Sequence, residues 1–261
     1  MKNKAIDRFA SDLLSEKLEP VGFQRRGNAW YKLVSDVILS AEVISVPRGA
    51  FDFRFGITPF VCCTNLSVPL SLLQPKHVYD RTHPDEVKSF YCRFYDRTPS
   101  DSPNFFYSID STVKALKDEH KYSVLLDYWT AVFETVTAPF LMRVTDLPSA
   151  IEMVGEHLAY LTTGNRMGEK WYYPGFMPAF MKLGLIDEAM KYWEPFISSR
   201  VRDYGPAFVD AQVEKAIETN DYHSLFLWYH IMKTNNKEKM EAVLTAIEAD
   251  AREWIQSVLQ L

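Results

Sequence analysis

The chain has 261 residues, 47% hydrophobic and 24% charged, the balance of a globular protein, which excludes large-scale disorder. A formal charge of −5 leaves no surplus of Lys and Arg for non-specific nucleic-acid binding, so no nucleic-acid partner is expected. No run approaches the ~18 apolar residues of a membrane span, and the charged start Met1-Lys2-Asn3-Lys4 does not read as a signal peptide, so a cytoplasmic protein is expected.

Aromatics reach 14%, enough to furnish a surface or groove as well as a core. The three cysteines, Cys62, Cys63 and Cys92, are odd in number and lack C-x-x-C spacing. They read as reduced residues packed as small hydrophobes.

In chain order, Ile6, Phe9, Ala10, Leu13 and Leu14 recur at helical spacing and predict an opening helix over 3–18, ended by Pro20 and Gly22. Three β-prone runs follow: Ala29 to Val34, Asp36 to Val46, and Phe51 to Cys62. In the third, Phe51, Phe53, Phe55 and Ile57 alternate with Asp52, Arg54, Gly56 and Thr58, which predicts one buried face. Arg25-Arg26-Gly27-Asn28 reads as a turn before the first run. Pro47 to Ala50 links the second to the third. Connections this short favour an antiparallel meander.

Residues 64–110 are punctuated by Pro69, Pro75, Pro84, Pro99 and Pro103. Ser89 to Tyr95 and Asn104 to Ile109 suit further strands, but Pro84 also suits a helix start, so residues 84–109 stay open between strand and helix. From Asp110 the pattern turns helical. Val124, Leu125, Tyr128, Val132, Phe133 and Val136 share a predicted face, and Pro139 is expected to close the segment. A capping box fits at Ser149-Ala150-Ile151-Glu152.

The glycine-containing loop Thr162 to Pro174 marks a seam, dividing an α+β sheet domain (1–162) from an all-helical part (163–261). Beyond it, helices are predicted over 175–184, 186–200, 206–219, 222–234 and 237–260. Gly184 to Ala189 and Asn220 to Leu225 look like similar hairpin turns, spaced near the ~34-residue period of tetratricopeptide packing. The expected fold class is α+β: an N-terminal helix and antiparallel β-meander sheet, then stacked helical hairpins.

Motifs for catalysis are missing. There is no G-x-S-x-G, no phosphate-cradling glycine loop and no G-x-G-x-x-G, and the chain holds 10 glycines. His77 and His83, near Asp80, Asp85 and Glu86, match no compact ligand spacing, so no metal, cofactor or local catalytic residue is assigned. A hydrolase assembled from distant His and carboxylate residues remains one alternative, because such sites are made by geometry. His223 and His230 share a helix face among Phe226, Trp228 and Tyr229, which reads first as a packing surface; His120 and His157 have no diagnostic neighbour. Arg25, Arg26, Arg48 and Arg54 form a basic set suited to carboxylate or phosphate. With the aromatic run Trp171-Tyr172-Tyr173, they are the candidate binding residues.

The stretch Leu18-Glu-Pro-Val-Gly-Phe-Gln-Arg-Arg-Gly-Asn-Ala-Trp-Tyr31, followed by a β-branched run and Phe53-Arg-Phe-Gly-Ile57, resembles the opening of a bacterial family, domain of unknown function 4304. Thr137-Ala-Pro-Phe-Leu141 followed by Leu147 to Val154 is similar to that family's end, so the resemblance spans about residues 3–155. The chain departs from the pattern where Ile44-Ser45 replaces a usual Gln near the end of the second strand. The resemblance implies a helix followed by strands. It carries no active site. Some family members look like immunity proteins encoded beside bacterial toxins.

Three readings follow. The first is a non-catalytic protein-binding protein, most sharply an immunity-type protein neutralising a toxin encoded nearby. The second is the non-local hydrolase. The third is a helical-repeat scaffold that holds a peptide in a groove.

Overall fold

The structure, a computed structural model, describes residues 4–46, 50–62, 113–153, 177–219 and 224–259. Among these, chain contacts define two compact units: one holds residues up to Ile57 with 113–153, the other 58–62 with 177–259.

The first unit opens with α1 (Lys4–Leu18), whose Ile6, Phe9, Ala10, Leu13, Leu14 and Leu18 are buried. A 3-10 turn, Glu19–Val21, follows. Gly22 stands at φ +92°, and Phe23 N–H closes onto Leu18 O at 3.1 Å. Four strands then form an antiparallel sheet in sequential order: β1 (Gln24–Arg26), β2 (Ala29–Val34), β3 (Val37–Val46) and β4 (Ala50–Pro59). The expected meander is present, with one strand more than the three runs. Arg25 and Arg26, read as part of a turn, join Gln24 in pairing with β2, and the turn itself needs only Gly27 (φ +66°) and Asn28. The connection over 47–49 and the segment 84–109 lie outside the described residues.

Register explains the core. Trp30 faces Arg25 on one side and Ala41 on the other, while Lys32 faces Leu39 and Val34 faces Val37. Cross-strand partners share a sheet face. α1 packs on β3, and Phe9 lies 5.2 Å from the Phe51 ring. Phe51 and Ile57 are buried, as the alternation of β4 predicts at these two positions.

α2 (Glu119–Val132), capped by Asp118 accepting from Lys121 N–H at 3.1 Å, packs against α1, with Tyr122 against Phe9, and buries Tyr122, Leu125, Trp129 and Val132. Val124 is therefore exposed and Tyr128 half-buried, one helical position off the expected stripe. Pro139 does not end the segment. The chain widens into a π-helical turn, Phe133–Thr137, and continues as a single turn, α3 (Ala138–Leu141). Proline has no N–H to give to an ordinary helical bond, and the wider turn accommodates that loss. The run 147–153 is helical, and its cap is Asp146. The Asp146 carboxylate accepts from Ser149 N–H at 2.9 Å, and Ser149 Oγ accepts from Asp146 N–H at 3.0 Å. The box thus begins three residues earlier than the spacing Ser149-x-x-Glu152 suggested, because Asp competes well for the same role.

The second unit is helical: α4 (Met177–Lys182), α5 (Ile186–Tyr204), α6 (Pro206–Glu218), α7 (Leu225–Lys233) and α8 (Lys237–Leu259). Four local devices break it into hairpins. Gly184 at φ +72° lets Leu185 N–H reach Phe180 O; Gly205 at φ +88° ends α5 and places Pro206 at the start of α6. Ser224 caps α7 through Phe226 N–H, and Asn236 caps α8 through Lys239 N–H. The core gathers Phe226, Leu227, Trp228, Ile231, Met240, Val243, Leu244, Ile247 and Ala251, with Phe60 and Val61 packed on α4 and α8.

Candidate functional site

Neighbouring helices in the second unit, α5, α6 and α7, pack in sequence, and their ends enclose a half-open cleft of about 360 Å³. The spacing of apolar residues dictates its walls. On α5, Ile197 and Val201 are one turn apart; on α6, Pro206, Val209 and Val213 climb one face. Ile197 and Val209 are buried and form the floor. Val201 is 36% exposed, and about one turn from the lining residues of the same two helices Tyr204 (47%), its ring 4.9 Å from that of Phe208, and Ile217 (43%) are exposed as well. Large hydrophobics left exposed beside a cleft are raw material for a contact surface.

The third wall is polar. Tyr229, His230 and Lys233 stand toward the end of α7, Thr234 follows as its C-terminal cap, and Asp210 stands on α6. Lys233 Nζ donates to Tyr229 Oη at 3.3 Å and lies 5.4 Å from the centre of that ring. Thr234 Oγ1 donates back to His230 O at 2.8 Å, which closes the helix end. An apolar floor with a cation and an anion among its lining residues can hold an amphipathic segment by burial and contact it by charge.

The candidates read from sequence lie elsewhere. Arg25 and Arg26 are adjacent on β1 and project to opposite sheet faces. Arg25 turns inward: Nη1 donates to Ser11 Oγ at 2.9 Å, Nε donates to Gly27 O at 2.9 Å, and the guanidinium sits 4.9 Å over the Trp30 ring. These contacts tie α1 to the sheet. Arg26 is exposed. Arg54 belongs to β4, but its side chain lies outside the described residues, as do Arg48, Trp171, Tyr172 and Tyr173. The structure therefore does not bring the candidate set together at one described place. His77, His83, His157 and His223 are likewise outside the described residues, and His120 is exposed on α2. Among the described residues, no group of three or more His, Cys, Asp or Glu side chains is placed to hold a metal ion.

Of the two singled-out histidines within the described residues, His120 and His230, it is His230 that lines the cleft. Phe226 and Trp228 are buried beneath it, as a packing helix requires. The signal that sequence reading passed over was on the neighbouring helices: Val201, Val213 and Ile217 are apolar positions that the buried stripe does not consume.

A second polar cluster sits on the first unit. Tyr122 Oη donates to Asp12 at 2.5 Å, Arg8 lies 4.5 Å over the Tyr122 ring, and Arg8 pairs with Glu119 at 3.2 Å. Burial, followed by the bond to the Asp12 carboxylate, pushes the Tyr122 phenol well above its ordinary range. The Glu119 carboxylate holds the Arg8 guanidinium in its charged form. Arg8 and Tyr122 engage both carboxylates, Asp12 on α1 and Glu119 on α2, so the cluster reads as a clamp between the two helices.

In comparisons with known proteins, no family model, no curated protein and no solved structure matches the chain.

Proposed function

We propose that this protein is a non-catalytic protein-binding protein that seats a segment of its partner in the cleft of its helical-hairpin unit. The observation that carries the reading is the exposure of the apolar residues Val201, Tyr204 and Ile217 at and beside a half-open cleft with an apolar floor. Aromatic and aliphatic anchors within a charged rim are the usual parts of a protein interface. The test is a selection of displayed peptides on the full-length protein, repeated on Val201→Glu. That position is already exposed, so the variant should fold and melt as the wild type does. Peptides enriched on the wild type and lost on Val201→Glu support the reading. Enrichment indifferent to Val201, or no enrichment, overturns it.

A narrower form, an immunity-type protein occluding a bacterial toxin, draws its support from the resemblance of Leu18 to Tyr31. Co-expression with the product of the neighbouring gene tests it through rescue of growth. Absence of both complex and rescue removes the narrower form and leaves the cleft reading standing.

A further inference from the structure

Arg25, on β1 of the first unit, is a half-buried cation whose surroundings are short of acceptors. Its guanidinium is held at three points. Nε donates to Gly27 O at 2.9 Å, Nη1 donates to Ser11 Oγ at 2.9 Å, and the Trp30 ring centre lies 4.9 Å away. All three partners are neutral. Arg25 forms no ion pair among the described residues, and the Glu19 carboxylate accepts instead from Trp30 Nε1 at 3.2 Å. A cation drawn part-way out of water with no counter-ion gains most from an anion brought to it.

The hydroxyls beside it repeat the imbalance. Ser11 and Ser15, one turn apart on α1 and both half-buried, place their Oγ atoms 3.4 Å from each other, and Arg25 Nη1 also reaches Ser15 Oγ at 3.5 Å. Both oxygens thus face a donor. Of their own protons only one can pass between them, and the other has no acceptor among the described residues. The N–H groups of Arg25 Nη2 have none there either. Tying α1 to the sheet takes only the bonds to Ser11 and Gly27 and leaves these donors over.

The geometry points to an oxyanion site: Arg25, Ser11 and Ser15 bind a phosphate group, free or carried as an ester on a small molecule. The flat guanidinium comes from a strand and the hydroxyls from a helix, so the donors do not share a plane. A carboxylate holds its two oxygens in one plane, whereas the tetrahedral phosphate spreads its acceptors to meet both elements. Trp30 and Gly27 orient the arginine fork in advance, so binding costs little further ordering. The site belongs to the first unit and does not depend on the cleft of the second.

Inorganic phosphate, glycerol phosphate and acetate, titrated into the full-length protein at constant ionic strength, test the assignment, with nitrogen–proton spectra following Arg25 Nε–H and Trp30 Nε1–H. Either phosphate is expected to shift both signals to saturation, and the tighter of the two shows whether the group arrives free or as an ester. Arg25→Lys keeps the charge but loses the fork, and should weaken phosphate about tenfold. Ser15→Ala should weaken it severalfold. That variant leaves the shorter bonds of Arg25 in place, so it keeps the fold even where Arg25→Lys loosens α1. Lys117→Gln, which removes an exposed charge elsewhere in the same unit, should bind as the wild type does. No saturable shift, tighter saturation by acetate, or equal weakening in Lys117→Gln overturns the inference. So does a folded Arg25→Lys or Ser15→Ala that binds phosphate as well as the wild type.

Discussion

At the scale of single residues, two buried hydroxyl groups make opposite bargains. Tyr122 Oη has a carboxylate acceptor in Asp12, whereas Thr137 Oγ1 is buried with no hydrogen-bond partner among the described residues. Two residues earlier, Thr135 Oγ1 donates to Ala131 O at 2.7 Å, the usual way for a helical threonine to satisfy itself. Thr137 lies at the end of the π-helical turn, where that geometry is lost. Thr137→Val should therefore raise stability by about 1 kcal/mol, because the variant no longer buries an unpaired hydroxyl. Urea unfolding reads it, and a loss of stability would mean that the hydroxyl is bonded. Tyr122→Phe should cost about 1–2 kcal/mol at neutral pH. It should also change the alkaline limb. The folded phenol titrates above its unfolded value of about 10, so its contribution is complete below pH ~10 and drains away as the pH rises toward the folded value. Stability measured from pH 8 upward should fall less steeply in Tyr122→Phe than in the wild type; parallel curves would refute the assignment.

At the scale of elements, the segment from Leu18 to Tyr31 shows how much local chemistry the chain spells out. Leu18, Phe23, Trp30 and Tyr31 are all buried, and the backbone between them turns on Gly22 and Gly27. A Cβ at Gly22 meets Lys32 Cε at 3.8 Å, an ordinary contact, so the need for glycine there is one of backbone conformation and not of space. An L residue in the left-handed region costs about 1–2 kcal/mol, and Gly22→Ala should lower stability by about that much. A thermal shift within a degree of wild type would show that the turn relaxes. Helices and strands here were legible because their periods are carried by apolar residues: β2 begins and ends where its β-prone run does, and α1 and α6 to α8 fall within three residues of the periodic pattern. Ends defined by competing polar groups were harder to place. Ser149 is a plausible cap by type, but Asp146 occupies that role. Arg25 and Arg26 look like a turn, yet tertiary pairing with β2 makes them a strand.

At the scale of the whole molecule, the cleft was invisible in sequence for a physical reason: it belongs to no element. Its floor takes Ile197 from one helix and Val209 from another, and its lips take Asp210 and Lys233 from two helices. Each residue is unremarkable within its own helix, and only the packing of successive hairpins sets them around a common space. The same geometry supplies a global test of occupancy. A partner segment that binds the folded unit and not the unfolded chain must stabilise it by mass action, by about 2.7 kcal/mol at a concentration of ~100 Kd. A saturating peptide from the selection should raise the melting temperature of the wild type in proportion to the logarithm of its concentration, and leave Val201→Glu unmoved. Hydrogen exchange should slow in α5, α6 and the last turn of α7, the helices that line the cleft. Stabilisation of the wild type without that local slowing would place the bound segment elsewhere on the molecule, because amide protection follows the surfaces whose opening the ligand prevents.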